Sequence, residues 1–313
     1  YNPKAIRKLS YSIKKKKLNP LITVTMTSCK RLDLMTQTVN SFVNCCKDIH
    51  LIDKWFCIDD NSSEKDREKM QELYPFIDFY FKTPKEKGHP QSMNIIHEKV
   101  NTPFIFHLED DWKFFERRNY LSECLEVLGQ NENIGQCLIN CNYAETSKDR
   151  IAGGIHKRTA SGLRYVEHEF CLTEEDKVAF SQKYGPCFYC SYWPHFSFRP
   201  SLIRKKVLNK LGKFNEHVSH FEMEYAARYV NKGYISAFLE TIHSIHIGRL
   251  TSEINNKSKP NAYELNGEAQ FSGKEEQSKE TQNLNSEDSS KKVFKLKTFV
   301  INLDRRPDRW KKF

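Results

Sequence analysis

Phe104-Ile105-Phe106-His107-Leu108-Glu109-Asp110-Asp111-Trp112 is the stretch that decides how this chain is read. Its first five residues are apolar apart from one histidine, the make-up of a short buried strand. Three carboxylic acids then stand in a row. Acids in a row often form no more than a solvated turn. Here an apolar strand precedes them and Trp112 follows, so they are held at a constrained edge. Carboxylates in that position suit Mg²⁺ or Mn²⁺, hard ions that take oxygen ligands and leave positions open for substrate phosphates. Such an ion neutralises a diphosphate leaving group as its bond breaks.

Upstream the same pattern repeats. Leu21–Met26 reads as a buried strand and ends in the turn Ser28-Cys29-Lys30-Arg31; residues 32–46 have helical spacing. Trp55–Ile58 is a second apolar run, closed by Asp59-Asp60-Asn61-Ser62-Ser63, and a helix is expected over 64–74. Ile77–Phe81 is a third strand and Ser92–Val100 a short helix before the fourth strand. Strands alternating with helices at this spacing predict an α/β fold with a mostly parallel sheet. Ligands of such sheets bind outside the carboxyl ends of the strands. The polar clusters at 28–31, 59–63 and 109–111 are therefore expected to converge on one crevice.

Other segments carry chemistry less specifically. Asp59 and Asp60 can accept hydrogen bonds from a ribose or a base, and the same turn can cap the helix behind it. Gly88-His89-Pro90-Gln91-Ser92-Met93-Asn94 places a glycine and polar groups before a helix amino end, where phosphate is attracted. Glu222 and Glu224 open a later helix. Either a general base or simple complementarity to the helix dipole accounts for them. His243 and His246 are candidate metal or phosphate contacts. Trp193, with Tyr189, Tyr192, His195 and Phe196 around it, can stack on a sugar ring or fill a core.

The 313 residues carry 50 Lys and Arg against 40 Asp and Glu, a formal net charge of +10. That balance favours anionic partners, but part of it lies in Lys14–Lys17 and in the basic residues of 305–312. No nucleic-acid motif accompanies it, and no apolar run approaches a membrane span. The ten cysteines include one CxxC, Cys187 and Cys190, without the second pair a zinc site needs. Buried reduced thiols are expected, in keeping with an intracellular compartment.

Together these motifs resemble glycosyltransferase family 2 over residues 21–249. Val24–Arg31 looks like its first nucleotide-binding strand and turn, Ile58–Ser63 like the second, and Leu108-Glu109-Asp110-Asp111 like its DxD-type metal motif. The resemblance implies a GT-A, Rossmann-like, mostly parallel sheet flanked by helices. It implies a UDP-hexose donor with Mn²⁺ or Mg²⁺. Thr25, Ser28, Arg31, Asp59, Asp60, Gly88, Gln91, Asn94 and Asp110 would bind the donor, and Glu109, Asp111 and His246 the metal. Aligned on Arg228 and Gly233-Tyr234, Glu222 takes the base position, where the family usually has aspartate, and Glu224 follows two residues on.

Residues 299–310, Phe-Val-Ile-Asn-Leu-Asp-Arg-Arg-Pro-Asp-Arg-Trp, are similar to the opening of glycosyltransferase family 25. The implied organisation is a basic segment over 1–20, a GT-A domain over 21–255, a polar linker over 256–292 and the start of a second domain from 293. Beginning with Tyr1, the chain reads as a fragment whose family 25-like domain would act in cis. A family 2-like unit ahead of a family 25 unit resembles the collagen-modifying glycosyltransferases of giant viruses. It implies glucose as the sugar, galactosyl-hydroxylysine as the acceptor, and the cytoplasm of an infected cell or the ER lumen as the place. The alternatives are an inverting transferase building a surface polysaccharide and a non-enzymatic nucleic-acid binder.

Overall fold

The computed structural model describes residues 6–7, 9–10, 21–148, 154–171, 173–184, 193–218, 220–253 and 255–268. Ile22–Ser28 (β1), Ile52–Asp59 (β2), Asp78–Phe81 (β3) and Phe104–Glu109 (β4) pair side by side in parallel. β1 is buried along nearly its whole length, which is why it reads as an unbroken run of apolar and β-branched residues rather than an alternating one. Trp112–Phe114 (β5) leaves this sheet at once. Ile134–Leu138 (β6), Ile155–Arg158 (β7), Arg164–Glu167 (β8), Ser201–Arg204 (β9) and Ile235–Leu239 (β10) complete it.

The nine-stranded order is β3-β2-β1-β4-β9-β6-β10-β8-β7. β9 runs antiparallel between β4 and β6, and β8 runs antiparallel to β10 and β7; the other strands share one direction. The expected mostly parallel sheet is therefore present, with two opposed strands that the sequence reading did not foresee. Ser244–His246 (β11) pairs only with β5, in a separate two-stranded sheet.

Helices cover both faces. On one, Met35, Val39 and Phe42 of Leu32–Cys45 (α1) and the apolar side of Tyr120–Gly129 (α4) pack with Val24, Met26, Phe106 and Leu108. Glu64–Leu73 (α2) adds Met70 there. On the other, His89–Lys99 (α3), Lys205–Leu211 (α6) and Phe221–Asn231 (α7) cover Ile58, Ile105 and Ile203. The alternation of Ile105 and Phe106 between the two cores follows from the two-residue period of a strand. Burying such a side chain fully contributes about 1.5–3 kcal/mol. Glu174–Tyr184 (α5) and Ala262–Leu265 (α8) complete the described helices. Among the described residues no helix is long and apolar enough to cross a membrane.

One expectation needs correction. α3 begins at His89 rather than Ser92, because Pro90 suits the first helical turn and Gly88, at φ 121°, supplies the turn into it. In the basic amino-terminal segment, Ile6 and Leu9 are buried in the core. Of the segment read as a polar linker from 256, residues up to 268 carry a capped helix and hydrogen bonds to the domain. Residues 269–313, with the stretch similar to family 25, lie outside the described residues, as do Tyr189, Tyr192, Cys187 and Cys190. No disulfide joins the eight described cysteines.

Candidate active site

Strand register brings the three polar turns level. Ser28 stands opposite Asp59, and Thr27 opposite Glu109, so the chain leaves β1, β2 and β4 at one edge of the sheet. Asp110 ties two of these turns together: it accepts from Ser28 Oγ at 3.1 Å and from Cys29 N at 3.2 Å, and it pairs with Arg31. Thr38 on α1 secures the acidic turn from below. Its hydroxyl donates to Asp110 O at 2.8 Å and accepts from Trp112 N at 3.0 Å. Asp110 is fully buried and spent on these contacts, so its role is to build the crevice. Burial pushes its carboxyl up to about 6, against the pull of Arg31.

Asp111 faces the other way. Arg31 Nη1 lies 2.9 Å from its Oδ2, and His246 Nε2 lies 3.1 Å from the same oxygen. These two cations hold Asp111 well below the usual carboxylate range despite its burial, and Asp111 in turn raises His246. The pairing of β11 with β5, His246 opposite Trp112, delivers the histidine to the acidic turn. Ile247 N then donates to Asp111 O at 2.8 Å. Asp111 Oδ1 and His246 Nδ1 are buried with no hydrogen-bond partner.

Glu109 adjoins this pair. Burial, with Asp111 and Glu222 nearby, pushes its carboxyl up to about 8. Glu222, in the first turn of α7, accepts from Phe198 N at 3.0 Å; burial raises it, and Arg199 offsets part of the rise. Arg199 lies 3.2 Å from Glu145 Oε1. Glu109, Asp111, Glu222, Arg199 and His246 therefore form one electrostatic group drawn from four segments of the chain. Among the described residues no three His, Cys, Asp or Glu side chains are already gathered as a metal cage. Asp111 and His246 nevertheless fit a hard divalent ion. A carboxylate and an imidazole in contact, each with an unsatisfied buried atom, suit a site completed by substrate phosphates and water.

The turns after β2 and β3 are joined through Asp60. Its Oδ2 accepts from Gly88 N at 2.9 Å and from Lys82 Nζ at 2.9 Å. Lys82 is fully buried, also donating to Gly88 O at 2.8 Å and to Ser92 Oγ at 3.0 Å. It clamps the ends of β2 and β3 to the start of α3, and nothing in the sequence around it marks it as more than a surface lysine after a strand.

Several sequence candidates are placed elsewhere. Asp59 is completely buried and accepts from Arg67 Nε at 2.8 Å and Ser62 N at 3.2 Å, so it braces its own turn. Thr25 Oγ1 lies 3.0 Å from His107 Nδ1 inside the sheet. Asn94 is committed to Phe214, through both its amide and its carbonyl, and to Glu216. Gln91 lies half-buried in the first turn of α3. Glu224, about 200° around the helix from Glu222, pairs with Arg228 at 2.7 Å. His243 is buried against Glu116 Oε2 at 2.6 Å, and His195 and Phe196 are core. Trp193 Nε1 donates to Phe196 O. For Asp59, Thr25, Asn94 and His243 the fold supplies partners for polar groups that sequence position alone left available.

Gly248 was not anticipated. A Cβ there would overlap the Asp111 carboxylate. Gly248→Ala is expected to displace Asp111 from Arg31 and His246, lowering stability by about 1–3 kcal/mol and weakening Mn²⁺ binding; thermal melts and Mn²⁺ titration of the purified variant check this. A second expectation concerns pH. Glu109 is raised in the folded state, so its neutral form is favoured there. Its contribution to stability is full below about 4.5 and is lost as pH rises through about 8. Metal-free protein should therefore lose stability between pH 6.5 and 8.5 relative to Glu109→Gln, in paired melts across that range.

Comparison by sequence finds no protein-family model and no curated protein that matches the chain. Among solved structures it is similar to the mannosyltransferase PcManGT from Pyrobaculum calidifontis in complex with GDP-Man and Mn²⁺. That match has 12% identity, covers 79% of this chain and 65% of that one, and has a TM-score of 0.49. It is also similar to GalNAc-T7 with UDP, GalNAc and Mn²⁺, at 15% identity, 75% of this chain, 45% of that chain and a TM-score of 0.50. The chain thus spans less than two thirds of the length of either structure. The second likeness is one of fold: a mostly parallel sheet flanked by helices in the GT-A arrangement.

Proposed function

We propose that this chain is a metal-dependent GT-A glycosyltransferase that moves a hexose from a UDP-sugar to a hydroxyl acceptor. The observation that carries the reading is the contact of Asp111 with His246 at the carboxyl edge of the sheet, each retaining a buried unpaired atom. Asp111 and His246 would hold Mn²⁺ or Mg²⁺, and Asp60, Gly88 and Arg31 would line the nucleotide side. The metal, when bound, supplies positive charge beside the leaving diphosphate. Arg31 keeps Asp111 ionised and oriented. Glu222 contributes, after burial and Asp111, to raising Glu109, and it is the group assigned here to the acceptor side. Its carboxylate is the group there that can take the acceptor proton.

Glucose as the sugar and galactosyl-hydroxylysine as the acceptor rest on the resemblance of residues 299–310 to family 25, not on the site. An inverting reaction is the second reading, supported by the position of Glu222, since a base beside the acceptor suits in-line displacement. Release of UDP from a panel of UDP-sugars tests the proposal, with Mn²⁺ or EDTA and with or without galactosyl-hydroxylysine. Turnover of UDP-glucose that needs metal and rises with this acceptor supports both levels. Turnover indifferent to the acceptor removes collagen and keeps the transferase. Absence of both turnover and UDP binding sinks the proposal.

A further inference from the structure

Residues 261–268 lie across the crevice. Asn261 and Glu264 form a capping box that starts α8. The main chain of this short segment then receives three donors from the nucleotide side. Cys29 Sγ donates to Ala262 O at 3.5 Å, Lys30 Nζ to Leu265 O at 2.9 Å and Lys87 Nζ to Asn266 O at 3.1 Å. Arg249 Nη1 lies 2.8 and 2.9 Å from the two carboxylate oxygens of Glu264, with the arginine side chain almost wholly covered. Arg249 directly follows Gly248, the residue packed against Asp111. The Tyr263 hydroxyl reaches to 3.5 Å from His89 Nδ1, and its phenol is raised by burial and by the nearby Glu222 and Glu109. Glu268 abuts Gly88.

One short segment thus meets the cations at the ends of the turns after β1, β3 and β11, and also places a ring beside Glu109 and Glu222. A short helix commonly packs on apolar surface; this segment spends two carbonyls and a carboxylate on Lys30, Lys87 and Arg249. Those are the groups a diphosphate beside the metal pair would meet.

We propose, building on the donor-site reading above, that residues 261–268 are an internal stand-in for the donor and are displaced when a nucleoside diphosphate binds. Glu264 occupies the place of a phosphate on Arg249, the carbonyls of Leu265 and Asn266 occupy Lys30 and Lys87, and Tyr263 fills the space of the sugar. Carbonyl dipoles are weaker partners for a lysine ammonium than phosphate oxygens are, because phosphate sets a full negative charge opposite the cation. The exchange therefore favours the donor on the lysine side. On the Arg249 side one anion replaces another. The strap sets a threshold that a nucleoside without phosphates, lacking those charges, does not overcome.

The test uses the whole chain with UDP and Mn²⁺ as the probe. Glu264→Gln keeps a capping-box acceptor and removes the charge on Arg249; Tyr263→Ala empties the ring position. Calorimetry should show both variants binding UDP about five- to tenfold more tightly than the unmodified chain, because less of the protein is in the closed form. Amide hydrogen exchange over 261–268 should speed up in the unmodified chain when UDP and Mn²⁺ are added. Weaker binding by both variants together with slower exchange would overturn the inference, making the strap part of the bound state; unchanged affinity and exchange would overturn it as well. UDP binding by neither the unmodified chain nor the variants would overturn the donor-site reading, and this inference with it.

Discussion

Asp111→Asn is expected to lower metal-dependent UDP release by about 10³-fold while leaving the protein folded. The carboxylate is the point at which Arg31, at 2.9 Å, and His246, at 3.1 Å, meet. Asparagine preserves the shape and an oxygen that accepts from Arg31, but it brings no charge to a divalent ion. Alanine is the harsher change. It leaves two cations facing a gap in a buried setting, and removing one partner of a buried pair costs about 3–5 kcal/mol. A smaller fall in melting temperature in the asparagine variant than in the alanine variant, with equal loss of turnover, separates folding from chemistry. His246 offers a spectroscopic check: its imidazole titration should move down in Asp111→Asn, since the carboxylate that raises it has gone. Full activity in a well-folded asparagine variant, or equal loss with and without metal, would remove Asp111 from the metal-binding role.

Glu222→Gln should reduce kcat by about 10²- to 10⁴-fold with UDP affinity held within about twofold, the pattern of a lost general base. Glu222 accepts from Phe198 N and is raised by burial, so its acid limb lies above the ordinary carboxylate value. Activity of the unmodified chain should therefore fall as pH drops toward and through that raised value, and the limb should vanish in the glutamine variant. A different outcome is equally informative. If KM for the acceptor rises while kcat stays, Glu222 binds the acceptor and the proton leaves by another route, the result expected of a retaining reaction. Glu224→Gln is the matched control. Its carboxylate belongs to Arg228 on the far side of α7, and turnover should be nearly unchanged.

Much of this architecture was legible in order along the chain. The strands at 22–28, 52–59, 78–81 and 104–109 and the helices between them announce themselves because a buried parallel strand must be apolar on both faces. A ligand crevice must then lie at their carboxyl ends, where the chain turns polar. That rule picks Ser28, Asp60, Glu109 and Asp111, which the fold brings to one edge of the sheet. It also picked Asp59 and Asp110. Both neighbours are buried and serve the turns themselves, and adjacent acids in a sequence do not reveal which of them turns inward.

What tertiary structure alone decided is where distant segments meet. β11 brings His246 to Asp111 across 135 positions of chain by pairing with β5, a two-stranded contact too short to be marked by periodicity. Lys82 becomes a buried clamp only because three turns close over it. Gly248 is required only because a carboxylate comes to rest against it. Residues 261–268, polar enough to read as a linker, are held by hydrogen bonds to cations that are far away in sequence. The physical reason is the same throughout. Hydrophobic periodicity reports which side of a strand or helix is buried, but a polar group's fate depends on the partner that folding places within about 3 Å of it, and no local pattern encodes that partner.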